Sequence, residues 1–135
     1  MTSQMTPGAR EAFIMSLGGA LHRWGIPAHR LEDRMTEVAT RIGLEAQFFS
    51  TPTSLMAGFG SLANQQVRLI RSDPGNVDLS KLADLDRVAD EVAQGELSID
   101  KGLAQVMAID ERPALYRGPI VIAAFSLAAA GSSRF

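Results

Sequence analysis

The sequence contains no cysteine and only two histidines among its 135 residues. Without thiols the chain cannot form a disulfide framework, a redox centre or a thiolate metal site. Lysine is scarce as well, because arginine supplies 11 of the 13 basic residues, and the net charge is −2. A near-neutral chain with scattered arginines lacks the basic footprint of a nucleic-acid binder, so we predict no nucleic-acid partner.

Long apolar runs are also missing from the sequence. The most apolar stretch, PIVIAAFSLAAA at 119–130, is shorter than the ~20 residues that cross a bilayer. Arg112 and Arg117 precede it, as basic residues precede a membrane span on its cytoplasmic side. We therefore predict a soluble α+β domain over residues 1–117 and the start of a truncated first transmembrane helix over 118–135. A buried core helix is the alternative for this segment.

Apolar residues spaced by three and four predict two helices in the first third of the chain. The first covers residues 8–25 and is expected to be amphipathic. Its apolar stripe comprises Phe13, Leu17, Ala20, Leu21 and Trp24. The Gly18-Gly19 pair is unfavourable inside a helix, so we expect another backbone to approach closely there. The second helix begins at Pro27 and ends at Gly43.

The pattern after Gly43 changes to alternation, which predicts three short strands at 44–48, 54–60 and 66–71. In the third strand we expect Val67 and Leu69 to face the core and Arg68 to face solvent. Because the strands follow each other closely along the chain, they predict a three-stranded antiparallel meander.

Two further helices are predicted after the turn SDPGN at 72–76. Asp78 and Ser98 are good N-cap residues, and an apolar stripe follows each of them. The predicted order is thus ααβββαα followed by an apolar C-terminal segment. This order indicates an α+β fold with the helices packed on one face of a small sheet.

The residue types needed for nucleophilic catalysis occur around the first strand. Ser50 and Ser54 flank a turn, and His29 with Glu32 lies at the start of the second helix. A Ser/His/Glu set is therefore an alternative catalytic hypothesis, although no Gly-x-Ser-x-Gly elbow is present. Turn hydroxyls that satisfy backbone groups are the simpler interpretation of these residues.

Metal binding is not predicted from the two histidines. Gly25 and Pro27 lie between His22 and His29, so the two imidazoles do not share a helix face. The sequence also lacks a P-loop and a dinucleotide fingerprint. We therefore predict no cofactor.

The third helix carries several acidic residues, which we expect to form a solvated face. These residues are Asp84, Asp86, Asp90 and Glu91. An interface that includes Asp86 and Arg87 is the alternative.

Five short strings together resemble the N-terminal domain of the threonine/serine exporter (ThrE) family. They are GIPAHRLE at 25–32, GL at 43–44, FSTPT at 49–53, DL at 78–79 and GELS at 95–98. The resemblance runs from about Glu11 to the last residue. It implies a cytoplasmic domain that precedes a set of membrane helices, in one chain or divided between two. It also implies export of threonine and serine, and related split systems are linked to small dicarboxylates.

The resemblance also points to particular positions. Arg30 and Glu32 match the Arg-x-Glu of the family, Thr51 and Thr53 match its turn, and Arg87 falls where the family tends to have a basic residue. We expect Glu32 to pair with a base or a turn N–H, and Arg30 with an acid or a substrate carboxylate.

The leading hypothesis is therefore an accessory domain of an amino-acid exporter at the cytoplasmic face of the membrane, and not an enzyme. Its expected partners are a transmembrane domain, in the same or a partner chain, and further copies of itself, joined through a sheet edge or helices. A hydrolase-like enzyme and a sensor of small amino acids are the alternatives.

Overall fold

The structure is a computed structural model that describes residues 8–113. Its elements are α1 (Ala9–Arg23), α2 (Ala28–Arg41), β1 (Ala46–Thr51), β2 (Ser54–Phe59), a 3-10 turn (Leu62–Asn64), β3 (Gln66–Arg71), α3 (Leu79–Ala93) and α4 (Ile99–Glu111). The predicted ααβββαα order is confirmed. The apolar segment at 118–135 lies outside the described residues.

Helix α1 is the centre of the domain. It contacts α2, α3, α4 and β2. Nine of its residues are buried, including Ile14, Met15, Gly19 and His22, which lie off the predicted stripe. A helix that is apolar on nearly every side is a core helix, so the expectation of an amphipathic α1 is wrong.

The two glycines of α1 let the helix lie close to the sheet. A Cβ on Gly18 would lie 2.5 Å from Leu55 Cδ2, and a Cβ on Gly19 would lie 3.4 Å from Ile70 Cδ1. The close approach is therefore to side chains of β2 and β3 and not to another backbone.

The sheet has the order β1-β2-β3, and both pairs are antiparallel. Leu55, Ala57 and Phe59 of β2 point into the helical layer and are buried. Leu69 pairs with Met56, and Ile70 pairs with Leu55. Because residues that pair across strands share a face, Leu69 lies on the side away from the helices.

The predicted orientation of β3 is thus reversed. Val67 is 60% exposed and Leu69 is 57% exposed, both on the open face. Arg68 pairs with Ala57 and therefore belongs to the helix side, where it is still exposed. The internal pattern of β3 misleads because the register with β2, and not the apolar residues of the strand itself, decides which face each side chain occupies.

The predicted helix starts are confirmed at α3 and α4. The Asp78 side chain accepts a hydrogen bond from the Lys81 N–H at 3.0 Å, and the Ser98 hydroxyl accepts one from the Lys101 N–H at 3.2 Å. Each cap satisfies a backbone donor that the first helical turn leaves without a partner. Within residues 8–113, no helix has the length and apolar character needed to cross a membrane.

The close contact at Gly18 predicts opposite effects for the two glycines of α1. Gly19→Ala should leave stability unchanged or raise it by up to about 1 kcal/mol, because alanine favours helix and meets only ordinary contacts. Gly18→Ala should lower it by about 1–3 kcal/mol, because the methyl group overpacks the fully buried Leu55. Urea unfolding followed by circular dichroism measures both, and equal stability of the two variants would contradict the packing argument.

Candidate functional site

The turn between β1 and β2 carries most of the predicted site residues. The hydroxyls of Thr51 and Ser54 lie 2.7 Å apart, and the Thr53 N–H donates to the Thr51 hydroxyl oxygen at 3.3 Å. The Ser72 N–H, just after β3, donates to the Thr53 carbonyl at 2.9 Å. The threonine and serine hydroxyls therefore organise this turn internally.

Two helices fix the same turn from the core side. Glu32 of α2 accepts a hydrogen bond from the Ser50 N–H at 2.7 Å. His22 of α1 places Nε2 at 2.7 Å from the Thr51 carbonyl oxygen. Because a carbonyl only accepts, Nε2 carries the proton of this hydrogen bond.

A set of buried polar atoms lies at this end of the helix–sheet interface. His22 Nδ1, Ser50 Oγ and Ser72 Oγ are buried, and none has a hydrogen-bond partner among the described residues. Buried polar atoms are normally paired, so these three are the unusual feature of the turn region. Sequence reasoning considered His22 only as a metal ligand. Its position in the last turn of α1, facing the Thr-Pro-Thr turn, depends on the packing of α1.

The structure brings together only some of the predicted site residues. Glu32, Ser50, Thr51 and Ser54 form one connected group. His29 and Arg30 are exposed at the start of α2, and within residues 8–113 no hydrogen bond joins either of them to Ser50 or Ser54. The catalytic set with His29 stays a prediction.

A second polar cluster joins the end of α4 to α1 and α3. Arg23 binds the Asp110 carboxylate in a bidentate manner, at 3.0 and 2.8 Å. The Trp24 indole N–H donates to the same carboxylate at 2.7 Å. Lys81 Nζ donates to the Asp110 carbonyl at 3.0 Å and lies 3.7 Å from the centroid of the Trp24 ring. This Asp110 cluster fixes the last turn of α4.

Electrostatics in the Asp110 cluster shift two pKa values. Burial works against the charge of Asp110, but the hydrogen bonds from Arg23 and Trp24 outweigh it and lower the pKa of the carboxyl. Lys81 is 1% exposed. Burial lowers the pKa of its ammonium group, and the carboxylates of Asp78 and Asp110 only partly offset this effect.

The acidic residues of α3 are exposed or half-buried, and each of them pairs with an arginine. Arg34 of α2 contacts Asp86 at 2.9 Å and Asp90 at 2.6 Å. Arg112 contacts Asp84 at 2.8 Å, just beyond the end of α4. Arg87 pairs with Glu91 at 3.3 Å on the surface of the same helix. The ion pairs with Arg34 and Arg112 connect α3 to α2 and to the end of α4. The predicted solvated face did not include these connections.

The family of this chain follows from its match to a known sequence profile. The sequence profile of the ThrE family, described as "Putative threonine/serine exporter", matches residues 12–135. The chain belongs to the ThrE family.

Several yeast proteins are similar to this ThrE-family chain. Pheromone-regulated membrane protein 10 of Pichia sorbitophila is 33% identical over 99 residues, which are 72% of this chain and 10% of that protein. The protein of the same name from Candida albicans is 36% identical over 81 residues, which are 58% of this chain and 7% of that protein. The chain thus spans about a tenth of the length of these relatives. No solved structure matches it.

The contact between α2 and the turn predicts a specific role for Glu32 in this ThrE-family domain. Glu32→Ala should lower the free energy of unfolding by about 1–2 kcal/mol, because it leaves the Ser50 N–H without its partner. Arg30→Ala, two residues earlier on the exposed side of α2, should change it by less than about 0.5 kcal/mol. Urea unfolding measures both variants. Equal losses would show that the bond from Glu32 does not stabilise the turn.

The lowered pKa of Asp110 predicts a loss of stability in acid. The ordinary pKa of an aspartate is 3.8, so between that pH and the lower folded pKa the unfolded chain binds more protons than the folded chain. The stability contributed by Asp110 is therefore full above about pH 4 and falls as the pH decreases through this window. Urea unfolding measures this loss: the free energy of unfolding of wild type should exceed that of Asp110→Asn by less and less as the pH falls through this window. Asp33→Asn, which replaces an exposed carboxylate of α2, is the matched control; a constant difference for Asp110→Asn would refute the prediction.

Proposed function

We propose that this chain is the cytoplasmic N-terminal accessory domain of a ThrE-family exporter of small amino acids. In this role it acts together with a transmembrane domain, in the same or a partner chain, and does not itself form the path for the substrate. The match of the family profile over residues 12–135 carries the proposal. The name of the yeast relatives, which calls them membrane proteins, is consistent with it.

The sequence around the apolar segment supports the assignment to the cytoplasmic face. Arg112 and Arg117 precede the uncharged run at 119–130. Basic residues next to a membrane span are enriched on the cytoplasmic side. If 118–135 is the start of the first transmembrane helix, residues 8–113 lie on that side of the membrane.

The Asp110 cluster provides a physical link between the domain and whatever follows it. Asp110 lies three residues before Pro113, where the described chain ends. Its carboxylate is held by α1 and its carbonyl by Lys81 of α3. A force on the segment after α4 would therefore act on α1 and α3 through charged contacts, which suits an accessory or gating domain.

An efflux assay tests the proposal. Cells loaded with labelled L-threonine would express the membrane region of a ThrE-family exporter, this chain, or both. We expect no efflux with the chain alone and faster efflux with both than with the membrane region alone. Unchanged efflux after addition of the chain, or efflux with the chain alone, would contradict the proposal.

A pair of variants serves as the matched control in the same assay. Asp110→Asn weakens the link between α4 and the other helices, so it should reduce the stimulation of efflux. Asp33→Asn removes one exposed carboxylate from α2 and should leave the stimulation unchanged. Expression and folding of both variants would be compared by circular dichroism of the purified chains.

A further inference from the structure

The open face of the sheet is unusually apolar. Phe49 is 59% exposed, Met56 39%, Val67 60% and Leu69 57%. A sheet with one face on the core normally presents polar residues on the other face. These strands carry large apolar side chains on both faces, so the open face departs from that rule.

The register places three of these side chains in one row across the sheet. Phe49 of β1 pairs with Met56 of β2, and Met56 pairs with Leu69 of β3. Val67 lies one row away, paired with Gly58. The nine outward positions of the strands contain a single charge, Arg71, in the last row of β3.

We propose that this open face is a homodimer interface, in which the sheets of two copies pack face to face. This inference concerns the described domain and is independent of the proposed transport function. The interface consists of the row Phe49, Met56 and Leu69, together with Val67.

The arrangement of the row makes the face complementary to itself. A two-fold axis that lies between the copies, parallel to β2 and above Met56, puts Phe49 of each copy opposite Leu69 of the other. Met56 then faces its own counterpart. The strands of the two sheets stay nearly aligned, as in the common packing of two sheets about 10 Å apart.

Charge supports a second copy over other partners. The same axis leaves the two Arg71 side chains at opposite edges of the interface, so that like charges do not meet. A charged protein partner would bury ions against the uncharged row without compensation. A lipid surface is recognised by several basic residues beside apolar ones such as Phe and Leu. The open face has Phe49 and Leu69 but only one arginine.

The size of the face predicts a weak dimer. Because each side chain has at most the roughly 150–250 Å² of a large aromatic residue, the exposed fractions amount to less than about 550 Å² of apolar surface per copy. A stable interface takes about 800 Å² per partner. We therefore expect a reversible dimer with a dissociation constant on the order of 100 μM in solution, strengthened where copies are concentrated, as on a membrane.

Sedimentation velocity of the whole 135-residue chain tests the interface. Between about 10 μM and 1 mM, a range that spans the expected dissociation constant, wild type should pass from monomer to dimer. Phe49→Glu should stay monomeric. Leu79→Glu is the matched control, because Leu79 is 72% exposed but lies on α3; it should associate like wild type. Both replaced side chains are exposed, so the fold should persist, and circular dichroism would check this.

Cross-linking tests the position of the axis. The chain contains no cysteine, so Met56→Cys introduces a single thiol at the centre of the interface. A short bis-maleimide should join two Met56→Cys chains much more efficiently than two Leu79→Cys chains. Adding Phe49→Glu to Met56→Cys should remove this excess.

Three results would overturn the proposal. The first is a wild type that is monomeric up to about 1 mM, well above the expected dissociation constant. The second is a Phe49→Glu variant that still associates. Dimers that form through a strand edge or through residues 119–130 would give this result. The third is equal cross-linking at positions 56 and 79. Vesicle binding by a monomeric wild type that is lost in Phe49→Glu would assign the face to lipid instead.

Discussion

The close packing of α1 against the sheet is the constraint on which the rest of the structure depends. Helix α1 contacts α2, α3, α4 and β2, so its distance from the sheet fixes where the helical layer lies. Gly18 sets that distance, because a side chain there would occupy the position of Leu55. Interiors are packed at crystal-like density, and a shift of α1 would therefore displace the other helices with it.

The C-terminal end of α1 joins both polar clusters of the domain. His22, Arg23 and Trp24 are consecutive, yet they contact three different elements. His22 holds the turn between β1 and β2, while Arg23 and Trp24 hold the Asp110 carboxylate of α4, and Lys81 of α3 lies over the Trp24 ring. One end of a buried helix thus couples the turn that resembles the family motif to the point where the chain leaves the described domain.

The two faces of the sheet serve different purposes. The inner face, represented by Leu55 and Phe59, is buried by the helices and forms part of the core. The outer face leaves apolar side chains in contact with solvent. The packing of the isolated domain does not require apolar residues at these positions. For a member of a membrane-exporter family, exposed apolar surface of this kind is consistent with a domain that works in an assembly.

The sequence by itself determined the element order, the helix starts at Asp78 and Ser98, and the family, because periodicity, capping and short motifs are local properties of the chain. Only the tertiary structure decided which way β3 faces, because pairing with β2 overrides the pattern within a single strand. It also decided that His22 reaches the Thr-Pro-Thr turn. That choice follows from the position of α1 over the sheet, and contacts between residues far apart in sequence leave no periodic signal from which to predict them.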